Sequence, residues 1–143
     1  MIMNLERAIE IAVTAHKGQV DKSGTPYILH PLRVMLSLKT EEERIVAALH
    51  DVVEDCEEWS LQRLRDEGLP EELATALESV TRNDGETYTE FIERSKTNAI
   101  GRRGKAADRR DNMDLSRSED PTDQDHRRTK KYRSALVRLG EQP

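Results

Sequence analysis

The segment Ile45-Val46-Ala47-Ala48-Leu49-His50-Asp51-Val52-Val53-Glu54-Asp55 sets the terms on which this chain can fold. Thr40 and Glu43 ahead of it have the spacing of a capping box, so it reads as one helix. Ala47, Ala48, Leu49, Val52 and Val53 flank its polar residues, which makes it a helix for the inside of a bundle. Within it, however, His50 and Glu54 lie one turn apart, and so do Asp51 and Asp55. Four polar side chains thus share one sector of a buried helix. Acids in such a place are costly unless a cation compensates them, and a metal ion is one such cation. Neutral imidazole with carboxylate is a common ligand set for Mn²⁺, Fe²⁺ and Zn²⁺. The plainer reading makes Glu54, Asp55, Glu57 and Glu58 an exposed acidic helix end.

The remaining segments supply helices to surround this one. Leu5, Ala8, Ile9, Ala12 and Val13 form an amphipathic stripe, with Asn4 as N-cap and Gly18 as a stop. Residues 19–29 carry Asp21, Ser23, Gly24 and Pro26 and read as an ordered loop. Pro31 opens a helix over 31–38. Ser60 caps a short helix that ends near Gly68. Pro70 opens another, with Leu73, Ala76, Leu77 and Val80 on one face. Asn83 to Gly85 is a turn, and Tyr88, Phe91 and Ile92 mark the next helix. Gly101 and Gly104 each cost a helix about 1 kcal/mol relative to alanine, so a helix is expected only over 105–115. Pro121 and Thr122 begin the last helix, about 122–139, whose core stripe is Tyr132, Ala135, Leu136 and Leu139. No strand, repeat or domain boundary emerges. The expectation is an all-α, single-domain helical bundle over 1–143.

Aromatics are only 3% of the 143 residues, so the core must be aliphatic. The net charge of −5 argues against a nucleic-acid binder, which needs a basic face. Two local basic runs stand out: Arg102, Arg103, Lys105, Arg109 and Arg110, then Arg127, Arg128, Lys130, Lys131 and Arg133. Either could attract a small phosphorylated ligand, although the second reads more simply as a solvated helix face. The single Cys56 allows no intramolecular disulfide and no cysteine-built zinc site. Glu6, Arg7 and Glu10 interrupt the apolar residues of 1–15, and no stretch is apolar enough to span a bilayer. A cytoplasmic protein without membrane contact is expected.

Two further segments carry chemistry. In Lys105-Ala106-Ala107-Asp108-Arg109-Arg110-Asp111-Asn112-Met113, Asp108 follows two alanines that permit close helix approach, and Asp111 and Asn112 lie one turn on. In Asp21-Lys22-Ser23-Gly24-Thr25-Pro26-Tyr27-Ile28-Leu29-His30-Pro31, a histidine precedes a helix-opening proline and is well fixed for ligation. Taken singly, Asp108 reads as a cap or ion-pair residue and His30 as a hydrogen-bonded core histidine.

Together with Ala15-His16-Lys17-Gly18-Gln19, Ala48-Leu49-His50-Asp51-Val52-Val53-Glu54-Asp55 and Val80-Thr81, these segments resemble, in order and spacing, the hydrolase domain of the RelA/SpoT alarmone enzymes in the HD phosphohydrolase superfamily. The resemblance implies a helical bundle holding one divalent ion, Mn²⁺ by preference, on His30, His50, Asp51 and Asp108. It implies that Glu54 and Asp55 orient and deprotonate the attacking water. It implies a nucleotide substrate contacted by Lys22, Ser23, Tyr27, Lys105, Arg109 and Asn112. The implied reaction removes pyrophosphate from the ribose 3′ position of guanosine tetra- or pentaphosphate, giving GDP or GTP.

The sequence departs from the family in three places. Asp21 stands where longer members have an arginine that packs on guanine. Gly101 and Gly104 replace apolar residues. No synthetase domain lies within these 143 residues. The Asp21 departure keeps a second reading open, a phosphatase for another nucleotide such as a 5′-nucleotide or a dinucleotide 2′-phosphate. A third reading is a catalytically silent nucleotide-binding module, against which the Glu54–Asp55 pair argues.

Overall fold

The computed structural model describes residues 1–142. The fold is all-α. Its helices are α1 (Leu5–Ala15), α2 (Leu29–Ser37), α3 (Glu41–Asp55), α4 (Leu61–Asp66), α5 (Glu71–Ser79), α6 (Tyr88–Lys96), α7 (Ala99–Met113) and α8 (Asp123–Leu139). A single turn of 3₁₀ helix, Leu115–Arg117, follows α7. Among the described residues the only extended pairing is an isolated antiparallel bridge between Val20 and Pro26, which closes the loop before α2.

Helix α3 is the axis of the bundle and packs against α1, α2, α5 and α7. Its Thr40–Glu43 capping box forms, and Ala48, Leu49 and Val52 are fully enclosed. Ala8, Ile11 and Ala12 of α1, Val34 and Met35 of α2, Leu73, Ala74 and Leu77 of α5 and Ala107 of α7 close around it. The buried face of α1 is rotated from the predicted stripe. Ile11 is buried, while Val13 is 46% exposed. With isoleucines at both 9 and 11, the apolar arc of α1 is wide enough that periodicity alone does not fix the inward edge.

Helix α2 begins at Leu29, two residues before the predicted start, so His30 belongs to its first turn. Helix α6 starts with a second capping box, Thr87 with Glu90. Helix α8 starts with a third, Thr122 with Asp125. It lies over α6 and α7, where Ala135, Leu136 and Leu139 meet Ile92 and Ala106 in a second, smaller core. Tyr132, predicted for that stripe, lines a cleft instead.

The largest difference from expectation is α7, which starts at Ala99, capped by Asn98, six residues before the predicted 105. Gly101 explains it. A Cβ there would lie 2.1 Å from Ser79 Oγ, so the missing side chain lets α7 press onto the end of α5. Packing outweighs the propensity cost. Gly104 has nothing within 4 Å of its Cβ position and makes no such contact.

The two glycines therefore have opposite substitution effects. Gly104→Ala should stabilise the protein by about 0.5–1 kcal/mol, the helix-propensity gain. Gly101→Ala should destabilise it by about 1–3 kcal/mol through overpacking, despite the same gain. Removing the Ser79 hydroxyl as well, in Gly101→Ala/Ser79→Ala, should recover most of that loss. Urea unfolding of the four proteins, wild type included, measures all three values.

Candidate metal centre and substrate cleft

Three helices bring His30, Asp51 and Asp108 together at the bundle's interior. The first turn of α2 carries His30, the last part of α3 carries Asp51, and α7 carries Asp108 next to Ala107, which lies in the main core against α3. All three are buried, and each offers a ligand atom within 4.8 Å of the other two. His30 Nε2 is 2.8 Å from Asp108 Oδ1 and 3.6 Å from Asp51 Oδ2. His50 Nδ1 lies 3.5 Å from Asp51 Oδ1, and with Asp51 and Glu54 it forms a second group of potential ligands. Asp51 thus links two overlapping triads, with His30 and Asp108 on one side and His50 and Glu54 on the other. His50 Nε2–H donates to Val80 O at 3.0 Å, which orients the ring.

The electrostatics are those of a centre built for a cation. His30 donates from both ring nitrogens, Nε2–H to Asp108 and Nδ1–H to Asp111 Oδ2 at 2.6 Å. Burial alone would lower its pKa, but the two carboxylates outweigh burial and push it up to about 10. Burial likewise opposes the charge of Asp108, yet Arg109, Lys105 and His30 hold that carboxyl well below its usual range. The donor set, one imidazole with two buried carboxylates and a second histidine beside them, fits a hard to borderline cation. Tyr27 Oη donates to Asp51 Oδ2 at 2.8 Å. Burial and the Asp51 charge push that phenol up, so it stays a donor.

Beside this centre opens a cleft of about 610 Å³, large enough for a nucleotide. Glu54 and Asp55 line it together with Arg82, Lys105, Arg109 and Lys131, and the Arg82 backbone N–H donates to Glu54 Oε1 at 3.3 Å. Glu54 is held ionised, because His50 and Lys105 outweigh its burial. The Asp55 carboxyl is pushed up by burial and by the charges of Asp51 and Glu54. Tyr88, Phe91 and Tyr132 form aromatic surfaces among the cations. Lys131 Nζ sits 3.9 Å from the Tyr88 centroid, Lys105 Nζ 4.4 Å from that of Phe91, and the Arg109 guanidinium 4.7 Å from that of Tyr132. Burial lowers the Lys105 pKa to about 8.

The other expected contact residues are placed differently. Lys22 is exposed and pairs with Asp125 of α8 at 3.3 Å. Ser23 and Asn112 are exposed, and none of these three lines the cleft. Tyr27 bonds to Asp51 and does not line the cleft. Asp21 Oδ1 accepts from the backbone N–H groups of Ser23 and Thr25, so its carboxylate organises the loop. Sequence reasoning missed Arg82 and passed over Lys131 and Tyr132, the first read as part of a solvated face and the second as core. A lysine beside a tyrosine on an otherwise polar helix was the available signal.

The family model described as HD domain matches residues 8–122. Among curated relatives, a guanosine-3′,5′-bis(diphosphate) 3′-pyrophosphohydrolase of Vibrio cholerae is 42% identical over 57 residues, 37% of this chain and 8% of its own length. The bifunctional (p)ppGpp synthase/hydrolase SpoT of Escherichia coli is 45% identical over 58 residues, 38% and 8% of the two chains. A guanosine-3′,5′-bis(diphosphate) 3′-pyrophosphohydrolase of Aquifex aeolicus is 39% identical over 82 residues, 54% and 12%. The chain spans about a tenth of the length of these relatives. A solved structure titled "A metazoan ortholog of SpoT hydrolyzes ppGpp and plays a role in starvation responses" superposes with a TM-score of 0.70 at 23% identity, covering 94% of this chain and 82% of that one. That likeness is one of fold.

Stripped of metal and titrated with Mn²⁺ in a calorimeter, the protein should take up one ion per chain. His30→Ala, Asp51→Ala and Asp108→Ala should each abolish uptake, and His50→Ala should weaken it. Lys22→Ala should bind as wild type does. Uptake by Asp108→Ala at wild-type affinity would contradict the assignment.

Proposed function

Because the chain belongs to the HD domain family, we propose that it is a metal-dependent phosphohydrolase that removes pyrophosphate from the ribose 3′ position of guanosine tetra- or pentaphosphate. The carrying observation is the cleft, whose lining joins the acids Glu54 and Asp55 with four cationic side chains beside the His30–Asp51–Asp108 group. The names of the curated relatives point to the same substrate. His30, Asp51 and Asp108, with His50 adjoining, would hold one divalent ion; the donors suit Mn²⁺, Fe²⁺ or Zn²⁺, and the resemblance to the alarmone hydrolases favours Mn²⁺. When bound, such an ion supplies positive charge that acidifies water and neutralises phosphoryl oxygens.

The chain's own residues do the rest. Lys105, Arg109, Arg82 and Lys131 bind the phosphate oxygens, and the aromatic surfaces of Tyr88 and Tyr132 flank the nucleotide. Glu54, ionised and on the cleft wall, accepts the proton of the attacking water at a carboxylate oxygen. Asp55, whose carboxyl is pushed up by burial and by the charges of Asp51 and Glu54, orients that water. The water oxygen bonds to the phosphorus attached to O3′, the P–O3′ bond breaks, and O3′ gains a proton. Pyrophosphate leaves, and GDP or GTP remains. All of this is work for one domain, and it suits a cytoplasmic setting.

A second reading, an HD phosphatase for another nucleotide, is favoured by one observation. The Asp21 carboxylate is spent on its own loop and offers no flat cation to a guanine. Tyrosine faces bind any purine, so a weak preference for guanine is expected. An arginine at 21 would lose both loop hydrogen bonds, which offsets the stacking it adds.

A product assay over a nucleotide panel with Mn²⁺ tests the proposal. Release of pyrophosphate from guanosine tetraphosphate is the expected result. Cleavage of 5′-monophosphates or of a dinucleotide 2′-phosphate, with 3′-diphosphates untouched, would install the second reading. Glu54→Gln should keep Mn²⁺ affinity and lose roughly 10²-fold or more in kcat. Lys131→Ala should raise KM about fivefold, the equivalent of about 1 kcal/mol, with kcat unchanged, because a phosphate clamp binds substrate and transition state alike.

A further inference from the structure

We infer that Asp111 is a positioning residue for the metal centre, an anionic partner that fixes which nitrogen of His30 faces the ion. The inference rests on the metal reading above. Asp111 lies one turn beyond Asp108 on α7, so one helix carries both a ligand and the group that sets the opposite side of the His30 ring. His30 Nδ1–H donates to Asp111 Oδ2 at 2.6 Å, which leaves Nε2 directed at Asp108 and Asp51.

The Asp111 carboxylate is itself locked. Arg33, one turn along α2 from His30, approaches it as a fork, with Nε 2.9 Å from Oδ1 and Nη2 3.1 Å from Oδ2. Arg117 adds a third approach, Nη2 to Oδ2 at 3.5 Å. Side chains of His30 and Asp111 are each only 11% exposed, so little water competes for these bonds. A carboxylate on the far nitrogen of a ligating imidazole makes that imidazole a stronger donor and holds its plane. The forked arginine then keeps the carboxylate from swinging onto the ion itself. The plainer reading is an α2–α7 ion pair between Arg33 and Asp111 that only fastens two helices. It does not account for the carboxylate oxygen lying closer to the imidazole than to either guanidinium.

The two readings differ in what they predict for metal affinity. Mn²⁺ binding to Asp111→Asn and Arg33→Gln, measured by calorimetry beside thermal unfolding in chelator, separates them. The positioning role predicts a 10–100-fold loss of affinity in Asp111→Asn, the scale of partners that orient a metal ligand. Arg33→Gln should lose less, and Asp111→Glu should recover part of the affinity. A fastening role predicts that Arg33→Gln and Asp111→Asn lower the melting temperature of the stripped protein equally and leave Mn²⁺ affinity unchanged, which would overturn the inference. A second measurement uses the wild type alone. With ¹⁵N-histidine and Zn²⁺ bound, only four histidines contribute, and His30 should be protonated at Nδ1 and metal-bound at Nε2. The reverse tautomer would overturn the inference while leaving the metal reading intact. A wild type that takes up neither ion would sink both.

Discussion

The charge buried along α3 is the constraint that the rest of the molecule answers. Asp51 sits in the central helix of the bundle, where an uncompensated carboxylate costs several kcal/mol. Asp108 arrives beside it from α7 and worsens the problem. The structure meets it with cations drawn from other helices. His30 comes from α2, and Lys105 and Arg109 flank Asp108 on α7 itself. Lys105 is almost wholly enclosed, a place a lysine occupies only when paired. A centre with this much opposed charge is stable only as a whole. Loss of one member strands its partners.

The chain has five aromatic residues, and four of them, Tyr27, Tyr88, Phe91 and Tyr132, stand at the metal centre or on the cleft wall. The core is accordingly aliphatic, and the rings are kept where cations need a face to rest on. Trp59, the fifth, lies in the main core with Arg63 over its ring, away from the cleft.

Much of this was legible in the sequence, where the signal was local. The α3 capping box, the Asn4 and Ser60 caps and the Pro70 start all follow from side chains acting within one turn. The family likeness pointed to His30, His50, Asp51 and Asp108; the fold brings His30, Asp51 and Asp108 within a few ångströms and sets His50 with Asp51 and Glu54 in an adjoining group. What escaped depended on distant neighbours. Gly101 reads as a helix breaker until Ser79, 22 residues earlier, is seen against it. His50 shares Asp51 with Glu54 because Val80 holds its ring, a contact no spacing rule encodes. Lys131 reads as one more solvated charge because nothing in α8 shows which face meets Tyr88. The family likeness marks Asp21 only by the arginine it replaces, while its own work, tying down Ser23 and Thr25, is that of an Asx turn.

His30 and Asp108 lie 78 residues apart in the chain, so any ion they share is also a staple. It would close a loop that contains most of the bundle, and it would exist only in the folded state. Such binding adds to stability by mass action, about 1.4 kcal/mol for each tenfold excess of free ion over its dissociation constant. The stripped chain opens more often, and opened chains are what cellular proteases consume. Metal supply would then set how many copies of the protein persist, and starvation for the ion would lower the protein's abundance.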